Sequence, residues 1–480
     1  MRQARLAGLV LACGLLIWRM PPAHAESMTL SQCLDAAMAH NAMLRAAGHE
    51  IDAKDYERKS VRGRFGPVVK ADANVLFWQD EQVIDLGFGA LGDIFGELLA
   101  DPIIQGMLTP ETLAQAGDLQ NMETALVARE QITYGVKLTV AQPLTPLYKV
   151  YSGYWAAGEL ADAARQDRAK ARHDLQVDVV RAFIGLVTAT RMMETAEAGL
   201  AQIEAYEKQV QAYLDAGLVE RNALLKVRVA KAEIQKGAFQ ADKGRKLARA
   251  GLNLYMGRPL DRPIEPAYNF DDPAETRSAG SLEETQRAAL RNRPDLLSLR
   301  HKSEAARAGK HAAIAAMLPD INAVFMYENN QGLGAFQQES VYYGGFVLSW
   351  NLWEWGATYY QIKAAESREA QIRAGLEALD DGVRLDVQSK RLDAEEAEKS
   401  LAVARAQQAE AAESLRIEQA RFEAQDATTT DLLEAQTAAL RAENGLTVSM
   451  MKLEEARYAL RVSLGEDLTA VEKEERNATR

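Results

Sequence analysis

Few residues in this sequence have types and spacings that could do chemistry. Six histidines stand at positions 24, 40, 49, 173, 301 and 311, and none forms an H-E-x-x-H pair or joins a Cys-His cluster, so no zinc-type site is encoded. Gly87, Gly89 and Gly92 match a dinucleotide-binding fingerprint. No strand-helix-strand unit follows them, and the match reads as a glycine-rich surface loop. A nucleophile elbow and a P-loop are both missing. Of the two cysteines, Cys33 sits among Leu30, Leu34 and Ala37 at helical spacing and reads as a small buried hydrophobe. Asp431 and Glu434 are three apart and share one helix face. Thr428 precedes Asp431 by three, and that capping box accounts for Asp431 without any chemistry. No cofactor is implied, and an enzyme is a poor reading.

The elements that must carry these residues belong to a chain of 480 residues with 56 Lys and Arg against 68 Asp and Glu, a net charge of −12. That balance excludes nucleic acid as a partner, because a phosphate binder needs a basic face. Residues 1–25 read as a secretory signal peptide: Arg2 and Arg5, then an apolar run from Leu6 to Trp18, then Ala23-His24-Ala25 before the cut. Cys13 lies in the middle of that run behind a poor lipidation box, so ordinary cleavage is expected. No later segment offers the ~18 apolar residues of a helical span. If the exported chain enters a membrane, it must do so as a β-barrel.

The sequence contains itself twice. An offset of 252 carries Leu30, Leu34, Asn41-flanking Leu44 and Pro67 onto Leu282, Gln286, Leu296 and Pro319. An offset of 208 carries Val140, Leu144, Ala216, Leu224 and Gly257 onto Leu348, Leu352, Ala424, Leu432 and Gly465. The expected organisation is therefore repeat 1 over 26–257, a proline-rich linker over 258–281, repeat 2 over 282–465 and a charged tail over 466–480. The fold class is mostly α with a small β part. Each repeat reads helix, strand, strand, long helical hairpin. Leu30 to Phe65 is proline-free and rich in helix formers. Tyr148 to Tyr213 carries Leu175, Val179, Phe183, Leu186 and Met193 as one stripe, and such a helix would extend about 100 Å.

Strands are expected where the period changes to two, at about 67–78, 131–144, 319–327 and 342–352, with a long inter-strand loop over 79–130 in repeat 1. Ile94, Phe95, Leu98, Leu99, Ile103 and Ile104 make that loop apolar enough for a short helix. About ten residues per strand suits a membrane. Membrane-facing positions are expected at Val69, Val75, Phe77, Ile132, Tyr134, Val136, Leu138, Ile321, Phe325, Phe346, Leu348 and Trp350. Taken alone, four alternating segments favour a half-buried soluble sheet. The signal peptide, the helix lengths and the aromatics at strand ends (Trp78, Tyr342, Tyr343, Trp353 and Trp355 among them) turn the reading to a barrel. Four strands cannot close one, since single-chain barrels start at about eight, so several chains must each donate four.

The sequence resembles the TolC family of outer-membrane efflux and secretion channel proteins. The resemblance rests on the opening Leu30 to Asn41, Leu318-Pro319, Ala141-Gln142-Pro143-Leu144, Ala216-Gly217-Leu218 and Asp431-Leu432-Leu433-Glu434-Ala435-Gln436, in that order and with that duplication. It implies a homotrimer, with a 12-stranded barrel in outer-membrane lipid continued by a periplasmic α-helical barrel. It implies docking to a periplasmic adaptor and an inner-membrane transporter of RND, ABC or MFS type, in a tripartite efflux pump or a type I secretion system. The adaptor contacts would be the hairpin turns Ala216, Gly217, Leu218 and Ala424, Gln425, Asp426. The pore constriction would be Asp431 and Glu434. Where family members lock the tip with a Tyr and an Arg, this chain has Phe422 and Ala427. The rival reading is a soluble periplasmic coiled-coil scaffold or adaptor.

Overall fold

The structure, a computed structural model, describes residues 26–85, 89–107, 109–112, 125–268, 280–334 and 340–472. The expected signal peptide with Cys13, and the last residues of the tail, lie outside the described residues. The elements in chain order are β1 (Glu26–Met28), α1 (Leu30–His40), α2 (Ala42–Gly63), β2 (Val68–Phe77), β3 (Gln82–Asp85), α3 (Gly89–Ala100), α4 (Pro102–Gln105), β4 (Ala125–Arg129), β5 (Ile132–Pro143), α5 (Leu147–Asp215), α6 (Arg221–Tyr255), β6 (Ile264–Pro266), α7 (Leu282–Asn292), α8 (Pro294–Ala315), β7 (Asp320–Gln331), β8 (Ser340–Ser349), α9 (Ala357–Glu423) and α10 (Thr429–Ser463). The order helix, strand, strand, helical hairpin thus occurs twice.

The helix expected over Leu30 to Phe65 is in fact two. Asn41 is extended, with ψ 129°. Its Oδ1 accepts from the amides of Met43 and Leu44, at 2.8 and 3.4 Å, which starts α2 afresh. In repeat 2 the same break falls at Arg293, ψ 124°, before Pro294 at the first position of α8. Capping boxes open α1 (Thr29 with Gln32), α7 (Ser281 with Glu284) and α10 (Thr428 with Asp431). The connection 79–130 is not bare loop: its described residues form the antiparallel ribbon β3–β4 and the helices α3 and α4. The strand before Gly89 pairs in that ribbon and not in a parallel βαβ unit, which disposes of the dinucleotide fingerprint.

The chain divides into two units. One is built from the described residues within Met1–Lys54, Leu160–Ser303 and Gln371–Arg480. Its main core joins Leu30, Cys33, Leu34 and Ala37 of α1 to Leu175, Val179, Phe183 and Leu186 of α5, with Leu252 and Met256 at the end of α6. The stripe read from sequence is the buried face of α5. Burial pushes the Cys33 thiol up to about 12, so it is an inert packing group. Linker strand β6 pairs with β1 in parallel beside this core. Smaller clusters continue the packing: Ile203, Val210, Leu224, Val227, Phe422 and Leu432 in one, Ala289, Leu296, Val383 and Val387 in another.

The other unit, Asp55–Glu159 with Glu304–Ala370, holds a four-stranded antiparallel sheet in the order β2-β5-β7-β8. β7 continues to Gln331, past the end of its apolar alternation at Tyr327, because Glu328, Asn329, Asn330 and Gln331 still pair with β5. The ladder needs only backbone groups, so it outruns the side-chain pattern.

Each hairpin ends on a glycine that closes its own repeat. Gly257 has φ +65° and its missing Cβ would lie 3.0 Å from the His40 carbonyl oxygen; Gly465 has φ +80° and its Cβ would lie 2.8 Å from the Asn292 carbonyl carbon. Gly465→Ala is expected to cost at least about 1–2 kcal/mol from backbone strain alone, read as a lower thermal unfolding midpoint. Gly375→Ala, in open space on α9, should instead gain up to about 1 kcal/mol.

Candidate functional site

The register sorts the sheet into two unlike faces. Val69, Ala71, Ala73, Val75 and Phe77 of β2 stand opposite Val140, Leu138, Val136, Tyr134 and Ile132 of β5. Val140 and Leu138 in turn meet Phe325 and Tyr327 of β7, Val136 and Tyr134 meet Asn329 and Gln331, and Ile321 and Ala323 meet Leu348 and Phe346 of β8. Eleven of the twelve residues expected to face a membrane therefore share one face. Trp350 falls just past β8, and its indole donates to the Met317 carbonyl at 3.2 Å. The opposite face carries Lys70, Asp72, Asn74, Thr133, Lys137, Thr139, Asn322, Glu328 and Asn330, with Val68, Leu76, Val324 and Val347 among them. Asp72, Lys137 and Glu328 form one row across three strands, and Lys70 Nζ lies 2.7 Å from Asp72. Gly135 leaves room for Asn74 and Asn330, whose Oδ1 atoms would lie 2.7 and 2.6 Å from a Cβ placed there.

No layer covers the apolar face among the described residues. Phe77 is 78 % exposed, Phe346 76 % and Val69 64 %. None of the four hydrophobic clusters contains a residue of the sheet. Among the described residues β2 and β8 each pair on one side only, so both edges present unpaired amides and carbonyls. A contiguous exposed apolar face of this kind marks a protein or membrane interaction surface. Aromatics mark the strand ends: the Trp78 indole donates to Thr133 Oγ1 at 3.0 Å, with the Arg129 guanidinium 3.9 Å above its ring. No helix among the described residues is long and apolar enough to cross a membrane.

The two helical hairpins of the first unit turn by one motif with different chemistry. At the first turn Gly217 takes φ +73°, Leu218 donates to the Tyr213 carbonyl at 2.8 Å and Gly217 to Leu214 at 2.9 Å. At the second, Gln425 takes φ +61°, Asp426 donates to Arg421 at 2.8 Å and Gln425 to Phe422 at 3.1 Å. Both are Schellman ends with a left-handed residue, one a glycine and the other not. Arg421 then clamps its turn, donating to the Asp426 carbonyl at 3.0 Å and to Glu418 at 2.9 Å.

Asp431 on the first turn of α10 and Glu434 on the second are both exposed. Asp431 Oδ2 accepts from the Thr428 hydroxyl at 2.7 Å and its amide at 2.8 Å. Those bonds hold the Asp431 carboxyl below its usual 3.8. Its folded state favours the ionised form, so its stabilising effect is complete above pH 3.8 and fades as the pH falls below it. The cap and an acidic lining are compatible, because an ionised Asp431 serves both.

Comparison with known proteins follows from this geometry. Residues 286–466 match the family model described as outer membrane efflux protein. That match covers the second repeat. The fold of nearly the whole chain is similar to those of solved outer-membrane channels. The Vibrio cholerae outer membrane protein VceC superposes with a TM-score of 0.71 at 16 % identity, over 91 % of this chain and 96 % of that one. The open Neisseria gonorrhoeae MtrE outer membrane channel gives 0.71 at 19 %, over 91 % and 88 %. The Campylobacter jejuni CmeC outer membrane channel gives 0.73 at 13 %, over 93 % and 88 %. No curated protein matches the sequence.

Contacts between the two hairpins have no signature in the sequence. Tyr206 of α5 bonds to Gln419 of α9 and accepts from Gln202 at 3.0 Å. The Tyr213 and Phe422 rings lie 5.9 Å apart. Lys226 of α6 donates to Thr430 of α10 at 2.8 Å. These pairs sit at non-equivalent positions of the repeats, so neither offset could signal them. Gln425→Gly is expected to stabilise the second hairpin by about 1 kcal/mol, by removing a left-handed side-chain residue, seen as a higher unfolding midpoint. Gly217→Gln should do the reverse at the first.

Proposed function

We propose that this chain is one third of a passive outer-membrane exit duct. Three copies each give four strands to a twelve-stranded barrel, and their helices continue the path through the periplasm. The observation that carries the reading is the uncovered amphipathic sheet with two open edges. In lipid, an unpaired edge costs several kcal/mol per unsatisfied group, so β2 of one copy must pair with β8 of the next. The apolar face then meets lipid and the row Asp72, Lys137, Glu328 lines water. Energy comes from an inner-membrane transporter of RND, ABC or MFS type, coupled through a periplasmic adaptor that grips the turns Ala216-Gly217-Leu218 and Ala424-Gln425-Asp426. The duct serves a tripartite efflux pump or a type I secretion system. A soluble periplasmic scaffold, the rival reading, leaves the exposed Phe77, Phe346 and Leu348 without a partner.

At the tip, Asp431 and Glu434 of three copies place six carboxylates around one axis. Such a ring favours cations and repels anions.

Two measurements test the reading. Val136→Arg puts a charge on the apolar face at an expected cost of about 2–4 kcal/mol per chain near mid-membrane, and should abolish the heat-sensitive outer-membrane trimer on gels. Thr139→Arg, on the opposite face, should keep it. Recovery of the unaltered chain as a soluble periplasmic protein would refute the duct. In planar bilayers, Asp431→Ala with Glu434→Ala should raise single-channel conductance and weaken cation preference; unchanged values would remove the constriction.

A further inference from the structure

We propose that the helical unit carries an anion site between α1, α2 and α5, which takes the phosphate or carboxylate head of a small amphiphile. The site stands on a cavity of about 370 Å³ lined by Met38, Leu44, Ile51, Arg165, Arg168, Ala169 and Arg172. Its two walls differ in kind. Arg165, Arg168 and Arg172 follow one another at three and four residues on α5, so three guanidiniums share one helix face. Met38 of α1 with Leu44 and Ile51 of α2 make the other wall apolar.

Two of the three guanidiniums have protein carboxylates beside them, and the third does not. Arg165 lies 2.5 Å from Asp162. Arg172 lies 2.9 Å from Asp467 and donates to Thr469 Oγ1 at 2.8 Å. Its Nε is buried with no hydrogen-bond partner. Arg168 is exposed and makes no ion pair or hydrogen bond among the described residues. Like charges at this spacing disfavour the helix, and an anion between them removes the repulsion. A planar guanidinium fork matches the two oxygens of a phosphate or carboxylate. The apolar wall adds a place for a short hydrocarbon body, and the volume is at the lower end of ligand pockets, about 300–1,000 Å³. Nothing in this argument depends on the duct reading, and the site stands or falls apart from it.

The test is isothermal titration of the purified full chain in a non-ionic detergent with hexyl phosphate, hexanoate, inorganic phosphate and hexanol. Saturable binding of hexyl phosphate or hexanoate at one site per chain is expected, weaker binding of inorganic phosphate, and none of hexanol. Arg168→Ala should weaken binding of hexyl phosphate by about tenfold or more. Arg168→Lys, which keeps the charge and loses the fork, should fall between. No saturable binding, or binding that Arg168→Ala leaves unchanged, overturns the site. Equal affinity for inorganic and hexyl phosphate overturns the amphiphile assignment. Loss of the oligomer in Arg168→Ala without any ligand effect also overturns it, because a carboxylate of a neighbouring copy would then fill the cavity.

Discussion

Backbone hydrogen bonding at the edges of one sheet governs everything else here. Among the described residues β2 and β8 end the sheet with unpaired donors and acceptors, and nothing lies over the apolar face between them. In water the face is the liability, and in lipid the edges are. An arrangement that closes the edges while leaving the face in hydrocarbon satisfies both, and in the duct proposed above the strands of further copies supply it. On the proposed reading, the oligomer follows from these two demands on the sheet.

The helical unit meets a different demand. Its helices are too long for a globular core, so burial is spread over several small clusters along them. Each repeat closes on itself where a positive-φ glycine meets the break between two helices, Gly257 on His40 and Gly465 on Asn292. The chemistry at the two breaks has diverged. Asn41 donates to the Tyr255 carbonyl at 3.1 Å, whereas Arg293 forks onto Asp295 and reaches Asp386 at 2.5 Å. The same divergence shows at the turns, where Gly217 and Gln425 do one conformational job.

Between the hairpins, packing replaces polar locking. Phe422, buried against Tyr213, Leu224 and Leu432, can form no polar link. The polar joints sit beside it, at Tyr206 with Gln419 and Lys226 with Thr430. An acidic first turn of α10 is left facing solvent, held ionised by its own cap.

By itself the sequence determined the duplicated order of elements, because periods of 3.6 and 2 and proline positions are local properties. It also determined which strand residues share a face: alternation assigns Val75, Tyr134, Phe325 and Phe346 to one side whatever the partners are. The α5 stripe at Leu175, Val179, Phe183 and Leu186 was legible for the same reason. Tertiary structure alone decided which strands are neighbours, and hence that β5 and β7 are central and β2 and β8 are edges. It decided the break at Asn41, which depends on a side chain turning back to its own amides. It decided the ribbon and helices within 79–130, where the pattern is apolar without a clear period. It decided the pairing of Tyr206 with Gln419 and the gathering of Arg165, Arg168 and Arg172 against Leu44 and Ile51. Those contacts join residues far apart in the chain, and no local pattern encodes which distant side chain will stand opposite.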